Sequence, residues 1–194
     1  QISEALDFMG ASLATGAGED VATVSMTLLM KNLATRLELL AEILTQSNFP
    51  QLEIDRQKQA VIASIKARQE DPGALASTAF NAALFPKSPY GRPVEGTEAS
   101  VKALQQKNLR EFFARNYRPN RAIVAVVGDV SEQEIAQALA KWMKGWTQGP
   151  PPTKPQPPSE IGKPQTVHVN KDLTQANIVL GHNGDVALTM NTEG

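Results

Sequence analysis

Apolar positions along this chain recur mostly at helical spacing, with a few short alternating or continuous runs between them. Ile2, Ala5, Leu6 and Met9 mark one face of a helix that Gly10 stops. Residues 12–15 then read as a strand, 16–20 as a turn and 21–28 as a second strand. In that second strand Val24, Met26 and Leu28 share one face, and Thr23, Ser25 and Thr27 the other, so the pair predicts a hairpin. Leu33, Leu37, Leu40 and Leu44 form a helical stripe, closed by Asn48-Phe49-Pro50 because the residue before a proline avoids the helical region.

Residues 52–69 predict the next helix, with Val61, Ile62 and Ile65 as its apolar stripe and Asp71-Pro72-Gly73 as its break. A further helix follows over 74–84. The stretch 85–96 carries three prolines and two glycines, which no periodic element can contain, and predicts an ordered loop. Short helices are expected over 98–104 and 107–116. Residues 122–127 are continuously apolar and β-branched, the pattern of a strand covered on both faces. Ser131 and Glu134 have the spacing of a capping box, which starts a helix carrying Ile135, Leu139, Trp142 and Met143 inward and ending near Gly145.

Seven of the fifteen residues from 150 to 164 are proline, so this stretch is expected to be an extended, semi-stiff linker. It divides the chain into a domain over 1–149, the linker over 150–164 and the start of a second domain over 165–194, where 166–169 and 176–180 read as strands. The order of elements predicts an α+β fold, with helices packed on a mostly antiparallel sheet.

Composition narrows the partners. With 194 residues, 41% hydrophobic and 20% charged, the chain can bury a core. The net charge is −1 and the 19 basic residues are scattered, which argues against a nucleic-acid surface and for protein or peptide partners. There is no cysteine, which excludes thiol catalysis, disulfides and cysteine-held zinc. No apolar run approaches the ~18 residues of a membrane span. The chain starts at Gln1, already inside a helical pattern, and is expected to be a fragment of a larger protein.

Four segments together resemble the M16 family of zinc metallopeptidases, the group that includes pitrilysin, insulin-degrading enzyme and the mitochondrial processing peptidase. They are Gly10-Ala-Ser-Leu-Ala-Thr15 with Glu19-Asp20, the run 56–72, the loop 88–96, and Asn116-Tyr-Arg-Pro-Asn120 leading into Val126-Val-Gly-Asp-Val130. Thr174-Gln-Ala-Asn-Ile-Val-Leu-Gly-His182 resembles the first strands of the family's second domain, whereas 185–194 matches it poorly. The resemblance implies an M16 peptidase-like half-domain of the bacterial two-domain type.

Active members of that family hold zinc by His-x-x-Glu-His on one helix and a glutamate on a later one. Residues four apart share a helix face, so two imidazoles can grip one metal while a neighbouring carboxylate takes a proton from its bound water. This chain has only His168 and His182, in no such motif, and both read as ordinary surface or strand histidines. The resemblance sets Ser64 where the family's third ligand should stand. A neutral hydroxyl is a poor zinc ligand and brings no balancing charge. Glu70 is six residues on, and the position four residues on is Arg68, a cation. The site is therefore expected to be degenerate, with no catalytic residue, no metal ligand and no cofactor in this chain.

Leu13, Ala14 and Thr15 resemble the family's edge strand, to which a peptide adds as an extra strand; the plain alternative is an ordinary sheet edge. No base or orienting acid stands by to make Ser64 a nucleophile. Gly128-Asp129 lacks the further glycine and lysine of a phosphate loop, and Trp142 with Trp146 reads as core packing. Tyr90 and Arg92 could touch a partner from their loop, although its prolines explain it structurally.

The resemblance therefore implies a non-catalytic lobe that binds a peptide or unfolded polypeptide beside a second M16 subunit or domain carrying the zinc. Two alternatives stand beside it: an active zinc endopeptidase whose histidine motif lies upstream, and a structural assembly module with no peptide role. By the same resemblance the periplasm or cell envelope is the expected compartment.

Overall fold

A computed structural model describes residues 10–29, 33–151, 164–172 and 174–182. The helix expected before Gly10, the middle of the proline-rich stretch and the tail 185–194 lie outside the described residues. Gly10 itself has a φ of 57°, the left-handed conformation that suits a glycine stop.

Strands β1 (Ser12–Ala17) and β2 (Ala22–Thr27) pair antiparallel, with Leu13 opposite Met26, Ala14 opposite Ser25 and Thr15 opposite Val24. Val24, Met26 and Leu28 are half-buried while Thr23, Ser25 and Thr27 are exposed, as the alternation requires. Six helices follow among the described residues: α1 (Leu33–Thr45), α2 (Gln51–Glu70), α3 (Pro72–Leu84), α4 (Glu98–Ala103), α5 (Gln106–Asn116) and α6 (Glu132–Trp142). The fold is thus mixed α+β, with a small two-stranded antiparallel sheet.

Asp71 acts at a junction. Its carboxylate accepts from the amides of Gly73 at 2.8 Å and Ala74 at 3.2 Å, so the residue that ends α2 also caps α3, with Pro72 in the first turn where no amide is needed. Ser131 and Glu134 form the expected capping box at the start of α6.

The chain divides into two compact units. One comprises Gln1–Lys58 with Lys102–Lys154, the other Gln59–Val101 with Pro155–Gly194. In the first, α1 packs against α6, and Leu37, Ala41, Ile54 and Ile135 are buried. Its Asn48-Phe49-Pro50 corner is held by α5: the Phe49 carbonyl accepts from Gln106 at 2.7 Å, that of Asn48 from Arg110 at 3.2 Å, and the Phe49 ring meets Phe113 edge-on. Those contacts hold Phe49 at a φ of 50°, uncommon for a residue with a side chain. In the second unit, Ile62, Ile65 and Val101 form a core, with Val61 half-buried against it. Each such isoleucine contributes about 1.5–3 kcal/mol.

Three expected strands are absent from the described residues. Residues 122–127 have no strand pairing, and Ile123 and Val127 are almost fully exposed at 98% and 100%. Likewise 166–169 and 176–180 have no strand pairing, and Ile178 and Leu180 are exposed. An apolar β-branched run is a local property, but a strand is a relation between two segments, and these have no ladder partner among the described residues.

Candidate functional site

Ser64 lies in the second half of α2, exposed, between the buried Ile62 and Ile65. Helical periodicity explains this: the stripe that builds the core turns the intervening position outward. One turn on, Arg68 donates to Glu95 through both terminal nitrogens, at 3.0 and 2.6 Å. Lys66 pairs with Glu98 at 3.9 Å. At the end of α2, Lys171 Nζ donates to the Gln69 carbonyl at 2.8 Å and to Glu70 Oε2 at 2.7 Å.

The electrostatic consequence is specific. Glu70, Glu95 and Glu98, the carboxylates bound to this half of α2, each meet a cation of the protein. A divalent metal needs carboxylate charge that is not already balanced. Ser64 supplies none, and among the described residues no three histidine, cysteine, aspartate or glutamate side chains are grouped to hold a metal. These residues do not fit a zinc ion.

His168 and His182 are exposed, 14 residues apart in sequence, and neither joins such a group. Leu13 is half-buried on β1, while Ala14 and Thr15 are exposed. Within the described residues β1 has one ladder neighbour, β2, so its other edge offers backbone donors and acceptors to an added strand. Ser64 belongs to one unit and residues 13–15 to the other.

The remaining candidates resolve into structural roles. The Trp142 ring carries Lys141 Nζ at 4.3 Å from its centre, and Trp146 donates from its indole to the Tyr117 carbonyl at 2.9 Å. Tyr90 packs its ring near Phe85, with centroids 6.1 Å apart, inside the Pro/Gly loop, and Arg92 is exposed beside it. At the Gly128-Asp129 end the first-turn amide of Glu134 is taken by Ser131, at 3.2 Å. The ion pairs of α2 escaped sequence reasoning because Glu95 and Lys171 stand 27 and about a hundred residues from their partners.

Comparison with known proteins places the chain by sequence and fold. Residues 1–98 match the family model described as Insulinase (Peptidase family M16), and residues 103–187 the one described as Peptidase M16 inactive domain. A Rickettsia bellii protein named as an uncharacterized zinc protease is 26% identical over 95% of this chain and 44% of its own length. Another with that name, from Mycobacterium leprae, is 28% identical over 93% of this chain and 41% of its own. The crystal structure of a peptidase M16 inactive domain from Pseudomonas fluorescens superposes with a TM-score of 0.77 at 26% identity, over 82% of this chain and 39% of that one. The chain therefore spans less than half the length of these relatives.

Proposed function

The chain belongs to the M16 peptidase family, and from that premise we propose that it is a non-catalytic member, a lobe that binds an extended or unfolded peptide along β1 beside a second M16 subunit or domain that carries the zinc. The observation that supports this reading is the charge balance of α2. By the family resemblance Ser64, an exposed hydroxyl, stands where an active member needs a ligand carboxylate, and the surrounding carboxylates are paired with Arg68, Lys66 and Lys171. The exposed Ala14 and Thr15 on an edge strand support peptide capture by strand addition, which needs backbone hydrogen bonds and no metal. In this reading 150–164 links two M16-type domains, and the compartment is the periplasm or cell envelope.

The relatives' names favour a second reading, an active zinc endopeptidase with ligands outside this chain. One experiment addresses both. Because the chain has no cysteine, a benzophenone can be placed uniquely at Ala14→Cys, and at Ala63→Cys as a control on α2. With an unfolded peptide present, light should crosslink the first and leave the second unlabelled; equal labelling, or none, removes the peptide-binding role. Stoichiometric, tightly held zinc in the full-length protein, which carries the residues where the second reading puts its ligands, would overturn the non-catalytic assignment.

A further inference from the structure

The segment 117–121, which leaves α5, runs beside residues 146–151, which enter the proline-rich stretch. Their pairing has one register. Trp146 Nε1 donates to the Tyr117 carbonyl at 2.9 Å, and Arg118 Nη1 donates to Thr147 Oγ1 at 3.1 Å. Asn120 and Gly149 bond reciprocally: the side-chain amide donates to the Gly149 carbonyl at 2.9 Å, and the Gly149 amide donates to Asn120 Oδ1 at 3.0 Å. Arg121 donates to the Pro150 carbonyl at 3.3 Å and the Pro151 carbonyl at 3.4 Å, and its other terminal nitrogen donates to Asn116 Oδ1 at 3.2 Å. The sequence separation is 29 from Tyr117 to Trp146, from Arg118 to Thr147, from Asn120 to Gly149 and from Arg121 to Pro150. A constant separation means that the two segments run in the same direction, in step.

The chemistry suits the sequence being held. Prolines have no amide hydrogen, so a proline-rich segment cannot be tied down by a two-way backbone ladder. It can be held through its carbonyls alone, and a guanidinium, which only donates, is the matching group. Before the prolines, Gly149 still has an amide, and there the partner is Asn120, which both donates and accepts. Gly149 also suits close approach, since a Cβ there would lie 2.9 Å from Arg118 Cγ.

We propose that Asn120 and Arg121 form a clasp that holds the start of the proline-rich segment against the first unit as far as Pro151. The division between the two compact units passes just beyond, between Lys154 and Pro155. In this role Asn120 and Arg121 are positioning residues for the linker, independent of any peptide bound at β1.

The test uses the whole chain, with amide hydrogen exchange at Gly149 and the mobility of a nitroxide at Gln148→Cys, a label site made unique by the absence of cysteine. Asn120 is exposed, so its substitution leaves the core untouched. Asn120→Ala should speed exchange at Gly149 by about tenfold, the scale of a lost hydrogen-bond pair, and sharpen the nitroxide spectrum. Asn120→Asp keeps an acceptor for the Gly149 amide and should keep its protection. Arg121→Met should free the label in the same way, and it decides the matter if Asn120→Ala does not fold. Unchanged exchange and mobility in both variants, or an Asp variant as unprotected as the Ala variant, would overturn the clasp.

Discussion

Arg68 and Glu95 close a two-pronged ion pair, Nη1 to Oε2 at 3.0 Å and Nη2 to Oε1 at 2.6 Å, tying α2 to the Pro/Gly loop across 27 residues. The side chains remain 47% and 33% exposed, so water and salt screen the attraction. Bidentate geometry nevertheless puts the pair at the upper end of what exposed ion pairs contribute. Arg68→Met should therefore cost about 1 kcal/mol of unfolding free energy, and less in high salt. A double-mutant cycle with Glu95→Gln, run by chemical denaturation at two salt concentrations, measures it; an additive cycle would deny the pair any energetic role.

The same pair bears on Ser64. In the proposed reading Ser64 stands at the ligand position, and Ser64→Glu puts a glutamate there, one helical turn from Arg68, a pairing helices favour. The new carboxylate therefore has a cation of the protein as its neighbour and, among the described residues, no preassembled group of ligands beside it. Elemental analysis and calorimetric zinc titration of Ser64→Glu should show no stoichiometric site, and peptide cleavage should not appear. A tight site in this single variant would mean that further ligands stand nearby.

At the start of α6 the Glu134 carboxylate has its proton affinity lowered, first by the Ser131 backbone amide at 3.0 Å and then by the Ser131 hydroxyl at 2.7 Å. These donors favour the ionised form, so the folded state holds the Glu134 proton less tightly than the unfolded chain. The contribution is fully present above the ordinary glutamate pKa and is lost as pH falls through the lowered folded-state value. Glu134→Gln removes the titrating carboxylate, whereas Ser131→Ala would leave the residue 131 amide in place, so it is Glu134→Gln that should flatten the acid side of the stability profile. Denaturation midpoints from neutral pH down to below the glutamate range give the test. A variant that loses stability by the same amount at every pH would show that the capping box is not the titrating element.

That capping box was legible in the sequence because its two residues are three apart and each satisfies the other. The alternation through Val24 and Met26 was legible for the same reason: burial on one face of a hairpin leaves a period-two trace. The stripe of Ile62 and Ile65 likewise turned Ser64 outward. Residues 122–127 misled because continuous β-branched character reports that a strand is favourable, and not what it pairs with. The pairs Arg68 with Glu95 and Asn120 with Gly149 leave no periodic trace at all. They join segments 27 and 29 residues apart through side chains, and only the folded chain brings them together.

The Pro/Gly loop shows how one backbone contact can fix a residue type. Gly91 sits in the short 3-10 turn Pro89–Gly91, where a Cβ would overlap the Phe85 carbonyl oxygen and lie 3.4 Å from that of Asn81. Neither carbonyl is free to retreat. The Phe85 carbonyl accepts from the Ser88 amide at 3.1 Å, and the Asn81 carbonyl accepts from the Phe85 amide at 2.9 Å, closing the end of α3. Gly91→Ala must displace backbone that other hydrogen bonds hold, and overpacking of this kind costs about 1–3 kcal/mol. Gly128→Ala is the control, since a Cβ there meets nothing within 4 Å. Without a clash, alanine restricts mainly the unfolded chain, so this variant should be neutral or slightly stabilising. Thermal melts of the two variants side by side separate the effects: a loss confined to Gly91→Ala identifies the Phe85 carbonyl as its cause, whereas equal losses would point to glycine's flexibility itself.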